Sequence, residues 1–328
     1  MPLNPQVKML VIFNICQIKF QNYKKENSGQ IEYWIRTIES LLNQNYQNHT
    51  IVVSGCKLRP ESKATLRAKF GNKIYYNFID DVYTVNITFN KTIEKMIEKY
   101  GEYDGYVWVD SGVHCEGQPN VLAEINTRAQ TGKYGIIMIE TETDQGWDMV
   151  FGQGVTSYDF KGEDFIQPIG TLLAPHFWYF SNDFRKAYGS IFPDVFRIGG
   201  AEFVFPYMCY AMHTKPVVIK DLKIHHALGF DGSSSGFPQS ITIPGQCDFL
   251  HGLTLQDVLV KDKMMELGMG YDDLAWGPHY ESFVPHNKDM FDAEGFAIKD
   301  EEMRNYIKEH FYLSPAKFDY STVHCEVS

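Results

Sequence analysis

Three short polar sites interrupt the apolar runs of this chain, and each could do chemistry. "GYVWVDSG", residues 105–112, carries a strand-like run straight into Asp110, Ser111 and Gly112. A carboxylate at the end of a buried strand either closes an Asx-type turn or holds something charged. "VVIKDLKIHH" ends in the adjacent histidines His225 and His226. On a strand these point to opposite faces, so at most one of them enters a site. Carboxylate and imidazole together suit a divalent cation, because hard Mg2+ takes oxygen ligands and Mn2+ also accepts imidazole. Glu202, in "GGAEFVF", opens a helical run. The helix dipole favours a carboxylate there, whether or not it also acts as a base. His114, close behind Asp110, reads as a loop histidine.

Strands and helices must alternate to bring these groups together. "VKMLVIFNICQI" (7–18), "HTIVVSG" (49–55), "KIYYNFI" (73–79) and the run into Asp110 have the β-branched, apolar character of buried strands. Between them, Ile31, Trp34, Ile35, Ile38, Leu41 and Leu42 recur at helical spacing, as do Phe89, Ile93, Met96, Ile97 and Tyr100 before Gly101. Residues 60–70 and 118–131 read as further helices, and 134–140 as a further strand. This order predicts an α/β fold with a mostly parallel sheet flanked by helices. Ligands of such sheets sit beyond the carboxyl ends of the strands, where Asp110 lies. Residues 197–226 read as a turn, a short helix with Pro206 in its first turn, and the strand ending in the paired histidines. The last 92 residues show weak periodicity. The expected division is a main domain over 1–230 and an extension over 231–328 packed on it.

The 328 residues carry a net charge of −11. That excludes a general nucleic-acid surface, which needs clustered cations. Six scattered cysteines without a C-x-x-C pair suggest reduced thiols and a cytoplasmic setting. The apolar run 9–18 is too short to span a bilayer and reads as a first strand, which leaves room for peripheral membrane contact only.

The chain resembles the GT-A glycosyltransferases, family 2-like, over roughly residues 7–228. "IEYWIRTIESLLNQNYQNHTIVVSG" is similar to that family's first helix and second strand. "NITFNKTIEKMIEKYGEYDGYVWVDSG" is similar to the helix and the strand ending in D-x-D. "GGAEFVFPYMCYAMHTKPVVIKDLKIHH" is similar to the acidic helix start followed by a strand ending in His. The sequence departs from the family where Gly112 replaces the second carboxylate of D-x-D. It departs again at Ser54, which stands where a base-binding Asp is usual, and at Phe203, which follows Glu202 in place of a second acid.

The resemblance implies a sugar moved from a nucleotide-diphosphate donor to a glycan or lipid-linked acceptor, with inversion and Glu202 as base. It also implies Mn2+ or Mg2+ held by Asp110 with His226 or His225, and a donor site including Ser54, Asp80, Asp81, Asp110, Ser111 and Gly112. Trp178 and Tyr179 could stack on a sugar, Trp147 and Asp148 line the acceptor side together with the extension 231–328, and Lys57 and Arg59 meet phosphate. Core packing or solvent explains each of these equally well. Two rivals stand beside the enzyme reading. One is a catalytically inactive GT-A-like carbohydrate-binding or scaffold module, suggested by the eroded motifs. The other is a sugar nucleotidyltransferase, which normally has a Gly-rich, Arg-containing loop after the first strand; "NICQIKFQNYKKENSGQ" is not one.

Overall fold

Alternating strand and helix build one half of a single large sheet. In a computed structural model, the described residues are 6–16, 30–80, 85–143, 164–167, 176–192, 201–226, 242–243, 247–248, 269–271, 283–285 and 325–328. Strands β1 (Met9–Cys16), β2 (His49–Cys56), β3 (Tyr75–Ile79) and β4 (Gly105–Val109) lie side by side in the order β3-β2-β1-β4, all parallel. Helices α1 (Gln30–Leu42), α2 (Pro60–Phe70) and α3 (Val85–Tyr100) make the crossovers. Successive residues of β1 feed two cores. Met9, Val11 and Phe13 meet Trp34, Ile38 and Leu41 of α1 and Leu66 and Phe70 of α2. Leu10 and Ile12 face Phe89, Ile93 and Met96 of α3. With both faces covered, the strands read as continuous apolar runs without alternation.

Beyond β4 the sheet is mixed. The elements are β5 (Val113–His114), α4 (Val121–Ala129), β6 (Tyr134–Thr143), β7 (Phe165–Ile166), β8 (Phe177–Ser181), α5 (Asn182–Tyr188), α6 (Ala201–Ala211) and β9 (Lys215–His226). Spatial order continues β4-β8-β6-β9-β5, with β7 on β9. β8 runs antiparallel to both β4 and β6, whereas β6 and β9 are parallel. β5, only four residues past β4, pairs antiparallel with the last two residues of β9. His114 is therefore a strand residue; two residues of ladder are too short a run to show a pattern. α6 starts at Ala201, so Pro206 sits more than a turn inside it and not in the first turn. Lacking an N–H, Pro206 leaves the Glu202 carbonyl without its usual partner four residues on.

Three details fix the geometry near the site. Trp108 and Trp178 are register partners, and with Phe89, Phe180, Phe192 and Phe205 they form a mutually tilted aromatic cluster under it. Each such ring contributes roughly 1.5–3 kcal/mol on burial. Gly105 opens β4 because the Tyr179 ring lies over it, so any Cβ there would collide with the ring. Finally, β9 slips against β6: Ile139 pairs with Ile219, yet Glu140 pairs with Lys223. The three intervening residues include Asp221 at φ 57, a left-handed backbone for a non-glycine residue.

Of the extension, β10 (Thr242–Ile243) pairs with β11 (Cys247–Asp248), and β12 (Met269–Tyr271) with β13 (Phe283–Pro285). β14 (Cys325–Val327) joins the main sheet, antiparallel to β3. It covers amides that an edge strand would leave open, and Lys99 Nζ donates to its Val327 carbonyl at 2.7 Å.

Candidate metal and donor site

A polar row crosses the sheet at the carboxyl ends of the parallel strands. The last like-facing apolar row is Val52, Ile12, Trp108, Trp178 and Met138. Two residues further along each chain path, Ser54 pairs with Asn14 and with Asn77. Asp110 follows β4 and receives its place from its neighbour, since its backbone N–H donates to the His176 carbonyl at 3.0 Å. Because β8 is antiparallel, the residue before it lies beside the residue after β4. His176 therefore stands next to Asp110 although 66 positions separate them.

Asp110 and His176 of this row meet His226, which pairs with Val113 of β5 just past Asp110. One ligand atom from each lies within 4.8 Å of the others. His176 Nδ1 and Asp110 Oδ2 are 2.9 Å apart, and Ser111 N–H donates to Asp110 Oδ1 at 2.7 Å. The His176 and His226 rings stack with centroids 4.1 Å apart and planes 12° from parallel. Asp110 and His226 are 5% and 2% exposed. Burial works against the Asp110 carboxylate, but the His176 hydrogen bond and charge and the Ser111 N–H outweigh it and hold its pKa below the ordinary value. Burial, reinforced by the charge of His176, pushes His226 down to about 3. Near neutral pH the site thus presents a carboxylate and a neutral imidazole, the protonation states a cation requires.

The chemistry of the donors fits a bound cation. Both ring nitrogens of His226 and the Nε2 of His176 are buried with no hydrogen-bond partner among the described residues. If His176 Nδ1 carries the proton shared with Asp110, a tautomer assigned from that contact, its Nε2 lone pair is free to ligate. Buried nitrogens in this number are costly unless something meets them.

Other candidates fall as follows. His225 turns away from this cluster and packs on His114, ring centroids 4.7 Å apart, as expected for neighbours on opposite faces. Ser111 and Gly112 form the buried turn after Asp110. Ser54 is buried, with its hydroxyl 2.9 Å from Thr92 of α3. Asp80 is exposed at the carboxyl end of β3, where Lys63 Nζ approaches Oδ1 at 2.5 Å and Lys57 Nζ donates to its carbonyl. Three strand spacings, roughly 14 Å, separate it from Asp110. Glu202 occupies the first turn of α6; its side chain lies outside what is described, as do Asp81, Trp147 and Asp148. Trp178 and Tyr179 are core residues, 7% and 2% exposed. His176 was not singled out from sequence. Its signal is a lone histidine opening the run "HFWYFS", the mirror image of Asp110 closing "GYVWVD". Two clefts, of ≈ 340 and ≈ 460 Å³, lie along α1 and include none of the three metal candidates.

The buried imidazole makes a pH prediction with a definite sign. In the unfolded chain His226 titrates near its ordinary 6.5, but in the folded chain only near about 3. Between those values the unfolded state takes up the proton first, so metal-free stability falls as pH falls. The loss should reach roughly 3 kcal/mol by about pH 4. Urea titrations in chelator should show it for the wild type and much less for His226→Gln. Equal slopes for the two proteins would mean that His226 is not the group responsible.

No protein-family model matches the chain, and no curated protein sequence does. Solved structures do match. GalNAc-T7 with UDP, GalNAc and Mn2+ aligns at 13% identity and TM-score 0.50, over 79% of this chain and 50% of that one. TarS 1–349 of S. aureus in complex with UDP aligns at 14% identity and TM-score 0.48, over 67% of this chain and 60% of that one. The chain thus spans between half and three-fifths of the length of these structures. The GalNAc-T7 likeness, together with the sheet order and the flanking helices, makes this a GT-A fold.

Proposed function

We propose that this GT-A fold protein is a glycosyltransferase using a nucleotide-diphosphate sugar. The observation that carries the reading is the Asp110–His176–His226 cluster at the carboxyl ends of the strands, with its unpartnered buried nitrogens. The UDP and Mn2+ bound by GalNAc-T7 on the same fold support it. With one oxygen and two nitrogen donors, the cluster suits Mn2+ better than Mg2+, which prefers oxygen alone. Asp110, His226 and His176 would hold the ion. Such an ion supplies charge stabilisation for a departing diphosphate.

The chain's own residues do the rest. The row from Asp110 toward Asp80 offers a path for the nucleoside along the strand ends, with Ser111, Gly112, Asp80 and Asp81 as donor contacts. Ser54 acts from beneath by holding α3 through Thr92. Glu202, at the start of α6, takes the proton from the acceptor hydroxyl, and the sugar is transferred with inversion to a glycan or lipid-linked acceptor. The scaffold reading accounts for the missing second carboxylate but not for an ionised Asp110 beside three buried imidazole nitrogens that have no hydrogen-bond partner among the described residues.

A panel of UDP-, GDP- and CDP-sugars, each with and without Mn2+, tests the reading. Release of the nucleoside diphosphate from at least one donor is expected, stimulated by Mn2+. Release from none, with Mn2+ still bound, would leave a metal-binding module in place of an enzyme.

A further inference from the structure

The strongest charge asymmetry of the molecule lies away from the cluster, on α2. Residues 57–73 contain Lys57, Arg59, Lys63, Arg67, Lys69 and Lys73 against Glu61 alone, a net +5 in a chain of net −11. All but the half-buried Lys63 are exposed. Among the described residues Asp80 pairs with Lys63 and Glu39 with Lys69, and these two acids offset the positive charge of the segment only in part. α2 turns Ser62, Leu66 and Phe70 to the core and shows only Ala64, Thr65 and Ala68 between its outer cations.

We infer that this face docks on an anionic lipid bilayer. The cations are spread along a helix about 16 Å long and its two flanks, so a single phosphate group could meet only a few of them. Laid over the Ala64–Ala68 crest, an extended anionic surface can be reached from both flanks of α2, by Lys63 and Arg67 on one side and Lys69 on the other. Small side chains between the cations let a flat surface approach. No exposed aromatic is interleaved with them, as stacking on nucleic-acid bases would need. Among the described residues no helix is long and apolar enough to cross a membrane, so this contact is peripheral. Attraction of this kind grows with each Lys or Arg near anionic headgroups and is screened by salt. β2 and β4 are parallel to β1, so Lys57 and Arg59, just past β2, sit at the same end of the sheet as Asp110. Docking there would bring a lipid-linked acceptor to the end of the sheet that carries the cluster. Only this last consequence rests on the glycosyltransferase reading; the docking itself does not.

Co-sedimentation of the full chain with vesicles decides it, without any donor present. Binding to mixed phosphatidylcholine and phosphatidylglycerol vesicles at low salt should exceed binding to phosphatidylcholine alone by about tenfold or more, and should vanish at high salt. The triple variant Lys57→Gln, Lys69→Gln, Lys73→Gln should lose most of that difference. A second triple, Lys95→Gln, Lys133→Gln, Lys186→Gln, changes the net charge equally outside α2 and should keep it. Should the first triple melt early, Lys73→Glu alone should show the same loss at smaller size. Equal binding to both vesicle types, or equal loss in both triples, overturns the inference. So does binding to soluble heparin or polyphosphate without binding to vesicles.

Discussion

Asp110→Asn should abolish Mn2+-dependent turnover, with a fall of about a thousandfold or more, while the protein still folds. Asparagine keeps the size of the side chain and an oxygen to accept from the Ser111 N–H. It removes the one negative charge of the Asp110–His176–His226 cluster. Two imidazoles remain, and without the anion they bind a divalent cation far more weakly. The fold should tolerate the change, because a buried amide costs less to desolvate than a buried carboxylate. Calorimetric titration with Mn2+ reads the ion directly, and donor turnover reads the consequence. Mn2+ affinity equal to wild type would take Asp110 out of the metal site whatever happened to activity.

Glu202→Gln should separate the two halves of the proposed reaction. Donor and Mn2+ affinity should stay within a few-fold of wild type, since the cluster is left untouched. Transfer should fall by about 100- to 10,000-fold, the range a positioned general base contributes. The first turn of a helix suits this role because its unpaired N–H groups favour the ionised carboxylate. Asp110→Asn loses donor binding and transfer together, so the pair of variants sorts metal anchoring from proton removal. Transfer surviving in Glu202→Gln would point to another base, or to retention of configuration.

How much of this could be read beforehand depended on whether the information was local. Asp110 was legible because a carboxylate closing a buried strand is visible within eight residues. His226 was legible to within one residue, because its strand ends in a pair and period two separates the partners. His176 was hidden by direction: nothing in "PIGTLLAPHFWYFS" says that β8 enters antiparallel between β4 and β6. In a parallel insertion the same histidine would sit at the far end of the sheet. The first four strands and their helices stood out as 3.6-residue stripes between continuous apolar runs. The mixed half, with its two-residue strands and its slip, offers no such repeat. Asp80 reached only the right end of the sheet, since turn acids look alike from sequence.

The slip in β9 has a consequence for the family of sequences that could share this site. Because three residues, an odd number, are looped out before Lys223, everything downstream in β9 is inverted in phase relative to β6. That inversion selects which member of the terminal pair looks inward. A chain shortened or lengthened by one residue there would exchange the two, so the parity of this loop, more than the identity of its residues, decides which histidine meets Asp110 and His176.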